Sequence, residues 1–307
     1  MNYNSCAIEV NKKCILSCAH CCQDYKYGYE YISFSYFKKM IDEICKCDRI
    51  KAICLTGGEP FSNTDILIKY FEILANTGRY LTLVTSGLRA NNYEFTYSLL
   101  IKLNKLGLKM ITISVDEFHY KFVKSQNLIN LLKVCNKLNI KSEVQIAIIN
   151  SSNLSENINP IKKYLARSNI RVFPVYPIGR ASIIQKEEII NYNLYDNLKC
   201  GKGYSFEIEY DGSVNPCCSP YAKYIDLHLG NIYHDSIFKI FKNLENHLIL
   251  LYLRNKGFRP FIKIAESKGI AYPDRVTSSC ELCYYLFSDN KYLDYILSLN
   301  DYLTKEK

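Results

Sequence analysis

Between residues 6 and 176, short runs of apolar, mostly β-branched residues alternate with longer amphipathic stretches, and nothing else in this 307-residue chain restricts its fold so strongly. Strands are expected at 6–10, 52–56, 81–85, 110–115, 144–149 and 171–176, with helices near 35–47, 64–77, 93–106, 121–138 and 158–167. Ser33 or Ser35 is placed to cap the first helix, and Gly78 and Gly107 to stop the second and third. Parallel strands need a crossover of roughly a dozen residues, usually a helix, so six βα units predict an α/β fold with a parallel sheet. Periodicity leaves an open doubly wound sheet and a partial barrel both available.

The pattern changes after Pro177-Ile178-Gly179-Arg180. Residues 200–220 read as a hairpin turning at Asp211-Gly212. Helices follow at about 235–256 and 258–268, and a tyrosine-rich helix is expected from about 290. With no tandem repeat and no low-complexity linker, the second part is expected to pack on the first, with the division at 1–185 and 186–307.

No apolar run reaches the roughly 18 residues that span a bilayer, and the first residues lack the apolar core of a secretory signal. A cytoplasmic protein without membrane attachment is expected. The net charge of +9 would favour an acidic partner, but the Lys and Arg residues are scattered and form no nucleic-acid arm. Fourteen cysteines are the compositional anomaly. The cytosol keeps thiols reduced, so metal binding or chemistry is expected of the surplus rather than disulfides.

Cys14, Cys18 and Cys21 form a C-x3-C-x2-C loop directly after the first strand. Three thiolates so close can hold three irons of a cubane and leave the fourth open, or hold a zinc with His20 or Cys22 as fourth ligand. After the second strand comes Cys54-Leu55-Thr56-Gly57-Gly58-Glu59-Pro60. Its glycines would let the backbone approach a ligand closely, and Glu59 offers a carboxylate to an amino group.

The cysteine loop after strand one, followed by GGEP after strand two, resembles the radical SAM superfamily. The resemblance covers about residues 6–185 and implies a partial (β/α)6 barrel. It also implies a [4Fe-4S] cluster on Cys14, Cys18 and Cys21, whose open iron chelates S-adenosylmethionine. Gly57, Gly58, Glu59, Pro60, Ser86, Ser114, Asp116 and Gly179 fall where that family contacts the cofactor. His20 falls where it places an aromatic over the cluster or adenine. Cys22 is then a bystander, because a fourth thiolate would block chelation.

The second group is Cys200, the pair Cys217-Cys218, Cys280 and Cys283. The spacing from Cys200 through Gly212 to Cys217 is similar to the SPASM/twitch extensions. This implies a small C-terminal α+β domain holding one auxiliary [4Fe-4S] cluster on Cys200, Cys217, Cys280 and Cys283. The same four thiolates also suit a structural zinc. Neighbours on a strand point to opposite faces, so Cys218 would point away from that site, toward the barrel.

Segments 116–123 (DEFHYKFV), 215–220 (NPCCSP), 249–258 (ILLYLRNKGF) and 278–283 (SSCELC) are together similar to the radical SAM epipeptide epimerases. That resemblance implies inversion of L- to D-residues in a ribosomally made peptide. It implies Cα hydrogen abstraction by a 5′-deoxyadenosyl radical, hydrogen return from the Cys218 thiol, and an electron donor such as flavodoxin or ferredoxin. His119 gains a functional role only through this match. Where the family has an acid on the preceding strand this chain has Ser205, with Glu207 on the same face. A twitch dehydrogenase or thioether-forming maturase is the alternative enzyme. A non-catalytic zinc module, which would be colourless, is the alternative of another class.

Overall fold

The computed structural model describes residues 3–150, 154–185, 188–190, 192–193, 199–200, 205–225, 227–288 and 295. Six parallel strands lie side by side in chain order: β1 (Ser5–Glu9), β2 (Ala52–Thr56), β3 (Tyr80–Thr85), β4 (Leu108–Ser114), β5 (Lys141–Ile148) and β6 (Ser168–Pro174). Helices α1 (Phe34–Cys45), α2 (Thr64–Leu74), α3 (Tyr93–Lys105) and α4 (Ser125–Leu138) make the first four crossovers. The Ser33 hydroxyl caps α1 by accepting from Tyr36 N, and Gly107, at φ 104°, turns the chain after α3.

Alternate strand residues, such as Cys6, Ile8, Ile53, Leu55, Leu83, Ile111 and Val144, have no exposed surface and face the helices. Their neighbours form rows on the inner face: Glu207–Ala7–Cys54–Thr82–Met110, and above it Val84–Thr112–Glu143–Asn169. The fold is the expected partial barrel, and the sheet is not closed, since its order begins at β10 and ends at β6.

The helix expected at 158–167 is replaced by a short α5 (Leu154–Ile158) and a single 3-10 turn at Lys162–Tyr164. Pro160 explains the break: it lacks an N–H and disfavours helical backbone at Asn159. Ile170 and Val172 on the outer face of β6 are consequently 46% and 39% exposed.

The second part contains β7 (Tyr192–Asn193), β8 (Ser205–Ile208), β9 (Ser213–Asn215), β10 (Gly230–Asn231), α6 (Ile237–Asn246), α7 (Leu248–Asn255), α8 (Arg259–Lys268), β11 (Arg275–Val276) and α9 (Ser279–Phe287). Strand β8 pairs in parallel with β1, so the β8–β9 hairpin extends the barrel sheet. Gly212 makes its turn at φ 86°. One hydrophobic core runs through both parts. The expected helix at 235–256 divides at His247, whose backbone is extended. The apolar stripe slips there: α6 buries Ile237, Ile240, Phe241 and Leu244, whereas α7 buries Ile249, Leu250 and Leu253. The tyrosine-rich helix from 290 lies outside the described residues, apart from Tyr295.

Candidate functional site

The loop after β1 gathers Cys14, Cys18 and Cys21. Burial pushes Cys14 up to about 11, opposed by the Leu16 amide and aided by the charges of Glu59 and Cys21. Burial pushes Cys18 up to about 12, with Asp116, Cys21 and Cys14 adding to it. Three soft donors that crowd one another's negative charge fit an iron–sulfur group, whose irons hold the thiolate forms. The Arg180 guanidinium acts the same way, lowering both Cys14 and Cys18.

The glycines expected to approach a ligand lie close against this loop. A Cβ on Gly58 would stand 2.3 Å from the Lys13 carbonyl oxygen, and one on Gly57 2.5 Å from Asn11 Oδ1. One on Gly179 would stand 2.5 Å from the Cys22 carbonyl oxygen. Around these close approaches, Gly58 N donates to Asn11 Oδ1 at 2.9 Å, and Ala181 N donates to Cys21 O at 3.2 Å. Arg180 donates to Leu16 O at 3.4 Å. The turns after β2 and β6 therefore grip the cysteine loop from two sides.

Glu59 is 2% exposed, and its own chain occupies its acceptor positions. Oε1 accepts from Phe61 N at 2.8 Å and from the Thr85 hydroxyl at 2.5 Å. Oε2 accepts from Ser86 N at 2.6 Å and from the Ser86 hydroxyl. Glu59 thus ties the ends of β2 and β3 together, and Pro60 starts the 3-10 turn beside it. Ser114 ends β4 on the inner face, opposite Gln145.

Asp116 joins the loop to the DEFH segment. It accepts from His119 N at 2.9 Å and lies 2.8 Å from His119 Nδ1. His20 Nε2 lies 3.5 Å from its other oxygen. His20 stacks on Phe118 with ring centroids 4.4 Å apart, and burial lowers its pKa to about 4, so it is neutral at pH 7. Burial pulls His119 down, but the Asp116 charge and hydrogen bond outweigh that and leave it raised. In Asp116→Asn the His119 pKa is expected to fall below the ordinary histidine value, followed by NMR titration. A stability loss of about 2–3 kcal/mol in urea is expected with it. An unmoved His119 titration would separate the two residues.

In the second part, burial raises Cys217, with Cys280, Cys200 and Cys218 contributing. Cys283 is raised by burial and by Cys200, Cys217 and Cys280. Helix α9 carries Cys280 and Cys283, and Ser278 caps it by accepting from Glu281 N. Cys218 is exposed. Cys54 is pushed up to about 11 by burial, against the Thr82 hydroxyl, with Cys218 and Glu143 adding to it. The adjacent cysteines thus differ in their electrostatic partners: Cys200, Cys280 and Cys283 for Cys217, and Cys54 of the inner row for Cys218. A cluster of Tyr176, Ile178, Tyr221 and Cys280, with Cys22 and Tyr284 packed on it, joins the two cysteine sites.

Ser205 is half-buried and Glu207 buried, the latter opposite Ala7 of β1. Beside them lies a buried group that the sequence reading missed: Glu9, 3% exposed, accepts from Lys223 Nζ at 2.8 Å and from the Tyr25 hydroxyl. Asn11 and Arg180 were also missed. Only position signals them, one just after β1 and the other just after Gly179.

Residues 8–156 match the radical SAM superfamily profile, and residues 200–284 match SPASM, an iron–sulfur cluster-binding domain. The chain is 27% identical over 299 residues to YydG of Bacillus subtilis (strain 168), whose name assigns it to peptide biosynthesis. That match covers 94% of this chain and 93% of YydG. Among solved structures, Streptococcus suis SuiB bound to its precursor peptide SuiA matches with a TM-score of 0.55 and 13% identity, over 78% of this chain. The match takes in 65% of SuiB, just under two thirds of its length. BtrN in complex with AdoMet and 2-DOIA matches with a TM-score of 0.52 and 14% identity, over 83% of this chain and 88% of BtrN. Among the described residues no helix is long and apolar enough to cross a membrane. The two domain matches imply S-adenosylmethionine with a [4Fe-4S] cluster and an auxiliary cluster, and the chain carries a radical SAM domain followed by a SPASM domain.

Proposed function

We propose that this chain is a peptide epimerase that converts L- to D-residues in a ribosomally made peptide. One observation carries the reading: Cys217 shares charge effects with Cys200, Cys280 and Cys283, while Cys218 is exposed and its charge acts on Cys54 of the inner row. The likeness to YydG supports a peptide substrate, as does the fold shared with SuiB, which has been seen with its precursor peptide.

In this reading residues 1–185 form the reaction chamber and 186–307 the auxiliary part. Cys14, Cys18 and Cys21 hold the cluster that chelates S-adenosylmethionine, and Cys200, Cys217, Cys280 and Cys283 hold a second [4Fe-4S] cluster. When bound, the cofactor and its cluster supply a 5′-deoxyadenosyl radical that takes a Cα hydrogen from the peptide. Gly57, Gly58 and Gly179 fix the loop. His20, Pro60, Ser86, Ser114 and Asp116 border the cofactor, and Glu59 acts through the turn it holds.

Acid–base epimerisation would need two bases flanking a very weak carbon acid. Cys218 replaces that arrangement. A Cα centre stripped of its hydrogen is planar, and the Cys218 S–H bond breaks as a new Cα–H bond forms on the opposite face. The thiyl left behind takes one electron from a reducing partner of flavodoxin or ferredoxin type and one proton from water.

The test is a reaction in D2O with reconstituted protein, reductant, S-adenosylmethionine and the peptide, read by mass spectrometry. The expected product carries one deuterium at the inverted Cα. A product lighter by two hydrogens would replace this reading with dehydrogenation or crosslinking.

A further inference from the structure

We propose that the outer edge of β6, which ends the sheet among the described residues, receives the peptide substrate as an added strand; the proposal rests on the reading of the chain as a peptide-modifying enzyme. β6 (Ser168–Pro174) ends the nine-stranded sheet. Val175 N donates to Ile148 O at 2.9 Å, so along this extended segment the backbone groups of residues 169, 171 and 173 turn toward β5. Those of Ile170 and Val172 turn the other way, and this row of N–H and C=O groups is complementary to another extended backbone.

Native sheets commonly blunt such an edge with charge, proline, a bulge or a covering helix. Here Pro160 breaks the helix that would cover the strand, leaving Ile170 and Val172 46% and 39% exposed. The charged side chain on the strand, Arg171, lies 3.5 Å from Glu143 on neighbouring β5. Pro174 stands only at the end, where its missing N–H would have pointed outward.

The occupant follows from where the edge leads. In a curled sheet that does not close, β6 borders the opening of the inner face, whose rows carry Cys54. A strand added there would set alternate side chains toward the chamber and toward Ile170 and Val172. Main-chain hydrogen bonds would supply affinity with little demand on sequence, and the two apolar side chains would favour apolar residues at alternate peptide positions.

The test uses the reconstituted full-length protein and, as probe, the short peptide encoded nearest to its gene, labelled with fluorescein. Amide hydrogen exchange at Ile170 and Val172 is expected to be fast in the free protein and protected when peptide is added. Val172→Pro, which removes only an outward N–H, is expected to weaken peptide binding by about tenfold or more, read by fluorescence anisotropy. Val172→Thr, which keeps the N–H and the β-branch, is expected to stay within about threefold. Failure of the peptide to bind, or binding with exchange at 170 and 172 unchanged, would overturn the proposal. So would protection that rises with protein concentration without peptide, which would make a second copy of the chain the occupant. Should Val172→Pro fail to fold, the exchange measurement on the unaltered protein decides alone. Protection of β6 with no inverted residue would sink the epimerase reading and spare this one; inversion without protection would do the reverse.

Discussion

Cys218→Ala is expected to take residue inversion from full conversion to none while leaving the iron content unchanged. The expectation follows from two neighbours with unlike surroundings. Cys217 interacts electrostatically with Cys200, Cys280 and Cys283, whereas Cys218 is exposed and its charge acts on Cys54. Removing the Cys218 thiol takes away the hydrogen that the planar Cα would receive on its second face, but no proposed iron ligand. 5′-Deoxyadenosine should therefore still form, without deuterium entering the peptide. Cys217→Ala should do the opposite to the metal, losing about four irons, the content of one [4Fe-4S] cluster. If Cys218→Ala strips iron and Cys217→Ala does not, the two residues exchange roles. Continued inversion in Cys218→Ala would remove the thiol donor from the mechanism.

Glu59→Gln is expected to cost about 3–5 kcal/mol, because at least two hydrogen bonds to a buried charge are lost and an amide N–H2 is forced against donors. The carboxylate accepts from Phe61 N, Thr85 Oγ1, and both the amide and the hydroxyl of Ser86. Glutamine keeps one acceptor oxygen and presents donors where the other stood. The Glu59 carbonyl also lies 3.5 Å from Asn11 Nδ2, so loosening this turn reaches the loop that carries Cys14. Urea denaturation should register the loss, together with reduced iron retention at the first site. A variant within about 1 kcal/mol of the parent, with full iron, would mean that Glu59 does not hold the two strand ends together.

The helices of the first part were legible because their apolar periodicity is strong and local signals bound them, as at Ser33 before α1 and Gly107 after α3. At 158–167 the apolar spacing of a helix competes with Pro160, and the proline prevails. The one long helix expected at 235–256 hid a single-residue slip in its apolar stripe at His247. At the site, the cysteine spacings were plain in one dimension. The functions of Asn11, Arg180 and Lys223 were not, since each acts on residues distant in the chain: Asn11 on Gly58, Arg180 on Leu16, and Lys223 on Glu9.

By itself the sequence determined the parallel βα succession, the two cysteine groups and the radical SAM resemblance, because periodicity and short spacings are local properties of a chain. Only the tertiary structure decided that β8 joins the barrel sheet beside β1 and that Gly57, Gly58 and Gly179 serve the cysteine loop. It alone decided that the Glu59 carboxylate is held by the end of β3, and that β6 is the last strand of the sheet among the described residues. Strand pairing and close backbone approach join residues far apart in sequence. Their energies depend on which surfaces the completed fold brings together, and no local pattern encodes that.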